Sequence, residues 1–140
     1  MKLLVQHVAL EHIHQVWPLV EPWLAPVFEK SDVSRYYDIE HLKYLFTRGE
    51  QVLVVGSDKK GDIQGVVAIQ WLTVPKARVA YITAIGGRLL ASKENHEEFI
   101  SWVRAHGGTR IEGSANEAVA RLWKQKLGYS PRQITVELEI

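Results

Sequence analysis

The chain carries two kinds of hydrophobic pattern. Apolar residues that alternate with polar ones predict strands, and apolar residues three and four positions apart predict helices. The strand patterns cover residues 3–8, 51–55, 63–71, 77–85, 109–113 and 133–140. The helical patterns begin near residue 10 and recur over residues 39–47, 94–106 and 115–127. This order predicts an α/β fold with a mixed central sheet of about six strands and helices on both faces.

Polar residues and glycines mark several of the predicted boundaries. Asp38 and Ser92 stand where an N-cap belongs, and Ser114 followed by Glu117 matches a capping box. Gly49 is predicted to end the helix that Asp38 begins. The last alternating run, Gln133–Ile140, predicts a final strand with one face open to solvent.

Three prolines interrupt the first helical pattern. Pro18 predicts a kink or the start of a second short helix, and Pro22 and Pro26 predict that the helix breaks up. The segment Trp23–Tyr37 is then expected to be irregular and is rich in large side chains. Two interpretations stay open for it: a loop packed over the core, or a lid or wall over a binding cleft.

Composition narrows the class of protein. The 140 residues, 46% of them hydrophobic and 24% charged, are predicted to form one domain, residues 1–140. The absence of cysteine excludes disulfides, thiolate metal sites and a cysteine nucleophile, and no His or acidic spacing predicts a metal site. A net charge of +1 without a basic stripe predicts no nucleic-acid partner. No apolar run reaches the roughly 20 residues of a membrane helix, so no membrane association is predicted.

Two segments carry a resemblance to a known family. The pair Gly86–Gly87 stands between the fourth predicted strand and a helix start. The segment Asn116–Tyr129 combines an asparagine, alanines, an aromatic residue and a Lys-Leu-Gly-aromatic ending. Together with the order of elements, these segments resemble the GNAT-like acyl-CoA N-acyltransferases. The resemblance implies the fold predicted above and acetyl-CoA as the cofactor.

The chain as a whole is also similar to small GNAT-like proteins encoded in tailed-phage structural gene clusters. This similarity implies a protein partner in a phage particle and a location in the host cytoplasm or in the virion. The shared features are Trp17–Val20, the helix between Asp38 and Gly49, Val74–Pro75, Ile85–Gly87, and Leu122–Trp123 ahead of Gly128–Tyr129.

The resemblance to the GNAT-like family also implies where acetyl-CoA would bind. In the family, the fourth strand offers backbone groups to the pantetheine arm. Amide N–H groups at the start of the following helix hold the pyrophosphate, because a helix N-terminus attracts anions. The matching positions in this chain are Ile82, Thr83, Ala84, Ile85, Gly86, Gly87, Arg88, Ser92, Lys93 and Asn116.

The phosphate loop departs from the family's pattern at two positions. Arg88 fits the pattern, but Ala91 stands where the family has glycine and Lys93 where it has a second small residue. Glycine allows a positive φ and a close approach of the phosphate, so alanine predicts strain there. The lysine side chain either crowds the phosphate or neutralises it. The loop therefore predicts a weakened anion site, with a plain helix N-terminus as the alternative.

Transfer of an acyl group to an amine needs a base for the amine and an acid for the leaving thiolate. Where the family often has a tyrosine acid in the last helix, this chain has Trp123, whose indole N–H does not give up a proton. Tyr129 is the candidate substitute, or else an aromatic residue packed at the corner after the helix. Glu112 is the candidate base, or else an exposed or paired glutamate.

These residues support two hypotheses about function. The main one is a GNAT-fold protein with a degenerate acetyl-CoA site that works as a binding or virion-associated module, with weak or no acetyl transfer. It follows from the departures at Ala91, Lys93 and Trp123. The alternative is an active N-acetyltransferase that moves an acetyl group from acetyl-CoA to a small amine. An open groove between the strands 79–85 and 109–113 would favour the enzyme, and a groove filled by Trp102, Trp123 or Arg88 would disfavour it.

Overall fold

A five-stranded mixed sheet forms the centre of the protein, with strands in the order in which they occur in the chain. The computed structural model describes residues 2–140, so residue 1 of the predicted domain lies outside it. The first four strands pair antiparallel, and the last two pair parallel. The elements are β1 Leu4–His7, α1 Ile13–Lys30, α2 Ile39–Arg48, β2 Val52–Ser57, β3 Ile63–Val74, β4 Ala77–Gly87, α3 Lys93–Ala105, β5 Arg110–Gly113 and α4 Glu117–Leu127.

The sheet separates two hydrophobic cores, which confirms the prediction of helices on both faces. The first core joins α1 and α2 to one face of the sheet. The second core joins α3, with Trp123 of α4 packed against it, to the opposite face. The helical residues buried in the first core are Ile13, Trp17, Val20, Leu24, Leu42 and Phe46. Those buried in the second are Phe99, Trp102 and Val103.

The helix α1 runs through three prolines, so the prediction that Pro22 and Pro26 break it up is wrong. Each proline removes one hydrogen bond to the carbonyl four residues earlier. Pro18, Pro22 and Pro26 are spaced by four residues and therefore share a face of the helix, and all three are exposed. The carbonyl groups that lose their donors belong to exposed residues and can bond to water, while the opposite face of α1 stays buried in the first core.

The segment Trp23–Tyr37 is therefore mostly regular. It is helical as far as Lys30, and a 3₁₀ turn, Asp32–Arg35, follows. Trp23 and Phe28 are half-buried against the first core, as a segment packed over the sheet requires.

Two of the three predicted N-caps are confirmed. Asp38 precedes α2 and Ser92 precedes α3, and Gly49 ends α2 at a φ of 77°. The capping box at Ser114 is wrong, because the helix α4 begins two residues later. Asn116 caps it, and its side-chain oxygen accepts a hydrogen bond from the N–H of Val119 at 2.9 Å.

The alternating segment Gln133–Ile140 forms no strand, and so the sheet has five strands rather than six. Within residues 2–140, no backbone group of this segment hydrogen-bonds to the sheet. Side-chain contacts hold this region instead: Arg132, just before the segment, pairs with Glu112 of β5, and Glu137 within it contacts Arg35 and Tyr36. A segment with alternating apolar residues forms a strand only if it can lie next to an unpaired edge of a sheet. Its apolar side chains are 85% to 112% exposed: Ile134, Val136, Leu138 and Ile140.

Gly86 is the position where α1 approaches β4 most closely. A Cβ atom at Gly86 would lie 2.0 Å from the backbone oxygen of Trp23, and a backbone atom cannot move aside as a side chain can. We expect Gly86→Ala to lower the free energy of unfolding by about 2 kcal/mol or more, the upper part of the range for an overpacked core. Urea denaturation measures this change.

Gly113→Ala is the matched control, because a Cβ atom there meets its neighbours at 3.4 Å or more. Equal stability losses in the two variants would contradict the close approach of α1 at Gly86.

Candidate functional site

A β-bulge in β4 shapes the site. The strands β3 and β4 pair residue by residue as far as Ile69 with Ile82, and then Ala68 pairs with Ala84. Thr83 is therefore an extra residue in β4, and a bulge of this kind bends its strand and increases the local twist. The hydroxyl of Thr83 donates a hydrogen bond to Gln51 at 2.9 Å, and Gln51 is buried.

The bulge coincides with the point where β4 and β5 separate. Their parallel pairing ends at Ile82 with Gly113. From Thr83 to Gly87, the edge of β4 that faces away from β3 has no strand partner within residues 2–140. The predicted pantetheine positions Ile82–Gly87 thus lie along an edge whose backbone groups are available to a ligand. Gly87 then turns the chain towards α3 with a φ of 81°.

The loop between β4 and α3 is fixed by buried groups. Leu89 is fully buried. The side-chain oxygen of Asn95 accepts a hydrogen bond from the N–H of Leu3 at 3.0 Å, which joins the first turn of α3 to the start of the chain. The N–H of Asn95 donates to the hydroxyl of Ser92 at 3.1 Å. The loop is therefore held in place before any ligand arrives.

The N-terminus of α3 presents free donors. In the part of the chain that the structure describes, the N–H groups of Ser92, Lys93 and Glu94 donate no hydrogen bond. The side chains of Arg88 and Lys93 are exposed, and within the same residues neither makes an ion pair. Helix N-H groups of this kind, with two cations beside them, are suited to a phosphate group.

The predicted strain at Ala91 does not occur. Among residues 2–140, every residue with a positive φ is a glycine, so Ala91 keeps an ordinary backbone conformation. The chain makes its left-handed turn four residues earlier, at Gly87. The argument for a weakened phosphate loop therefore loses the part that rested on Ala91.

The candidate base Glu112 lies beside Tyr81. The two residues are paired in the parallel ladder, so their side chains share one face of the sheet. This is the α1–α2 face, because their neighbours Ala80 and Ile111 pack in the second core on the other face. The Glu112 carboxylate accepts from Arg132 at 3.4 Å. The Tyr81 hydroxyl and the Ser114 hydroxyl are 2.7 Å apart.

The candidate acid Tyr129 lies on the opposite face. Its hydroxyl is 2.9 Å from Nε2 of His96, and its ring packs 5.4 Å from that of Trp123. Burial raises the pKa of Tyr129 to about 12, so the phenol holds its proton more tightly than an exposed tyrosine. Burial also lowers the pKa of His96. The structure therefore does not bring Tyr129 and Glu112 together.

The three residues that could fill the groove between β4 and β5 lie in different places. Trp102 is buried in the second core, stacked on Phe99. Trp123 is half-buried on that same side, and an added Cβ at Gly113 would lie 3.7 Å from its ring. It therefore packs beside the end of the β4–β5 pairing. Arg88 is exposed to solvent.

Asn116 caps α4, as described above, and its amide oxygen is used in that bond. Two cavities of about 310 and 360 Å³ lie elsewhere, and neither is lined by Thr83–Gly87 or by Arg88–Glu94. Within residues 2–140, no three metal-ligating side chains cluster, and no helix is long and apolar enough to cross a membrane.

Four contacts of the site were missed by sequence reasoning: Thr83 with Gln51, Asn95 with Leu3, Tyr81 with Ser114, and His96 with Tyr129. Each joins residues that are more than 30 positions apart in the chain. Within residues 77–87, the alternation of apolar and polar residues shifts from one face of the strand to the other. This shift is the one sequence signal that could have located the bulge.

Because His96 is only 4% exposed, its protonation should make the stability depend on pH. Burial lowers the pKa of His96 in the folded state below its ordinary value of 6.5, so the unfolded chain binds the proton more readily. The stabilisation is therefore present above pH 6.5 and is lost as the pH falls below it. We expect the free energy of unfolding to fall less steeply in His96→Gln than in the wild type.

Urea denaturation at a series of pH values between about 5 and 8 measures the two slopes. His14→Gln is the control, since His14 is exposed. Identical slopes in the wild type and in His96→Gln would contradict the assignment.

The sequence matches no protein-family model and no curated protein. Solved structures do match. A probable acetyltransferase is 18% identical, with 97% of each chain covered and a TM-score of 0.66. An aminoglycoside acetyltransferase from an uncultured soil metagenomic sample is 15% identical, with 99% of this chain and 95% of the other covered and a TM-score of 0.66.

A ribosomal-protein-alanine N-acetyltransferase from Brucella melitensis is 14% identical, with 97% of each chain covered and a TM-score of 0.65. None of these three is described as a phage protein, so the similarity to phage proteins stays a prediction. At these identities the likeness concerns the fold. Together with the five-stranded mixed sheet and its helices on both faces, it shows that the chain has the GNAT-like fold predicted from its sequence.

Proposed function

We propose that this protein is an N-acetyltransferase that takes an acetyl group from acetyl-CoA and places it on an amine. The observation that carries the proposal is the bulge at Thr83. It leaves the edge of β4 unpaired up to Gly87 and leads to the free N–H groups at the start of α3. An extended pantetheine arm needs backbone partners and a pyrophosphate needs N–H donors, and these groups offer both.

The solved structures that share the fold support this choice over a binding module. The three described above are acetyltransferases by their own descriptions. The competing idea of a degenerate site rested partly on strain at Ala91, and Ala91 has no positive φ. A role in a phage particle has no observation of this structure in its favour.

The residues proposed for the chemistry lie together on the α1–α2 face of the sheet. Acetyl-CoA supplies an activated acyl group as a thioester. We assign Glu112 as the base that takes the proton from the amine as the C–N bond forms and the C–S bond breaks. Tyr81, on the same face and bonded to Ser114, is placed to give a proton to the leaving thiolate. Tyr129, with its raised pKa and its bond to His96, is the poorer donor.

The anion site is tested by calorimetric titration of the purified protein with acetyl-CoA. We expect Arg88→Ala and Lys93→Ala each to weaken binding about tenfold, the equivalent of one charge-assisted hydrogen bond. Lys60→Ala is the control, because Lys60 is an exposed lysine in the turn between β2 and β3. Binding that all three variants leave unchanged would place the cofactor elsewhere, and no binding at all would overturn the proposed function.

The base is tested by the rate of CoA release with a panel of primary amines. Because the chain has no cysteine, a thiol-reactive dye reports the released CoA without a signal from the protein. We expect Glu112→Gln to lower kcat about a hundredfold or more while acetyl-CoA binding is kept.

Glu11→Gln, at an exposed carboxylate far along the chain from β5, should leave kcat unchanged. Tyr81→Phe and Tyr129→Phe form a matched pair, and we expect only the first to slow turnover. Full activity in Glu112→Gln would remove it from the mechanism.

A further inference from the structure

The C-terminal segment Gln133–Ile140 is the most exposed apolar part of the molecule. Its alternate side chains are apolar, and each of these four is at least 85% exposed. A soluble monomer seldom leaves a row of large apolar side chains in water. The pattern is that of a strand with one buried face, and within residues 2–140 this strand lacks both a ladder partner and a core.

The strand β5, in turn, has one edge without a strand partner in the described residues. It pairs with β4 on one side only, so the N–H and C=O groups on its other side have no strand partner in the described residues. Unpaired edges of this kind readily accept a further strand. Four residues, Arg110–Gly113, are available for pairing.

A cavity of about 310 Å³ runs along this edge and is called the β5-edge cleft here. It lies between α3, β5 and the end of α4. Its lining is mixed: the apolar part consists of Ile100, Val103, Ile111, Leu127 and the ring of Tyr129, and the polar part of His96, Arg104, Thr109 and Arg110. A strand added to β5 would direct every second side chain into this cleft, on the α3–α4 face, and the others onto the α1–α2 face.

The charges fit the same arrangement. Arg110 of β5 alternates with Ile111 and lies at the rim of the cleft, among the residues that line it. Within residues 2–140 Arg110 makes no ion pair. The polar side of the C-terminal segment carries Glu137 and Glu139. An added strand with its apolar side chains in the cleft would therefore place carboxylates near Arg110.

The chain's own segment is poorly placed to fill this position. Arg132, which precedes the segment, already contacts Glu112, one residue before β5 ends. The residues that follow run on to Arg35, which lies beyond the end of α1, and none of them lines the β5-edge cleft. They therefore leave the β5-edge cleft uncovered.

We propose that residues 133–140 of one copy of this protein add as a strand to β5 of a second copy, with their apolar side chains in the β5-edge cleft. A reciprocal exchange of this kind closes with two-fold symmetry. The exchange also gives residues 133–140 an edge to pair with and gives β5 a further strand, and both of these features belong to the same chain.

The experiment uses the full chain and sedimentation equilibrium over a wide concentration range. We expect the wild type to reach twice the monomer mass. We expect Val136→Lys, which places a charge on the apolar side of the segment, to remain a monomer. Thr135→Lys adds the same charge on the polar side and should still form the dimer. Both substitutions lie outside the cores, and circular dichroism verifies that each variant is folded.

Hydrogen exchange distinguishes the possible occupants of the β5 edge. In the exchanged dimer, the amides of residues 110–113 and 133–140 become protected together as the concentration rises. Val136→Lys should abolish both effects. If the wild type is a monomer and these amides are protected, the segment pairs with β5 of its own chain. If the wild type is a monomer and the amides are not protected, the edge of β5 stays open. Either result, or a dimer unaffected by Val136→Lys, overturns the proposal.

Discussion

The extra residue in β4 determines which side chains meet on each face of the sheet. Ile82 and Ala84 are two positions apart and would share a face in a regular strand, yet the first packs in the second core and the second in the first. The pairing with β5 ends at the same point. Thr83 keeps this arrangement because its hydroxyl is bonded to the buried Gln51. The free edge of β4 and the close approach of α1 at Gly86 both lie on the C-terminal side of this local change in register.

Polar contacts between residues far apart in the sequence fix local conformations that the two hydrophobic cores alone do not fix. The cores position the helices, but the fixed conformation of the loop before α3 depends on Asn95, which bonds both Ser92 and the N–H of Leu3. A buried amide with satisfied partners fixes one conformation more strictly than apolar packing does. The phosphate-binding function proposed for this loop therefore relies on the first residues of the chain.

The sequence was sufficient for the fold because the patterns that carry it are local. Alternation predicted the strands, and Asp38, Ser92 and Gly49 marked helix boundaries, because capping depends on residues only a few positions apart. It failed where distant or collective effects decide. The prolines of α1 are tolerated because their face is exposed, and residues 133–140 lack a partner edge that no pattern within the segment could reveal.

The candidate site was foreseen in its outline and not in its details. The glycine pair located the turn and the helix start correctly, but the backbone conformation at Ala91 could not be read from its identity, since the left-handed turn is made at Gly87. Glu112 gained a neighbour, Tyr81, only through the register of the parallel ladder. Residue types give the chemistry that is possible, and register decides which groups share a face.

The row of prolines on α1 restricts how this protein can assemble. The carbonyl groups of His14, Pro18 and Pro22 lose the donor that an α-helix normally supplies four residues later, because a proline stands there. A dry contact over this side would leave three strong acceptors unsatisfied, each at a cost of about 1–3 kcal/mol. Any neighbour that covers α1 has to bring hydrogen-bond donors or trap water there. The outer side of α1 is thus protected against nonspecific apolar contact by its own backbone.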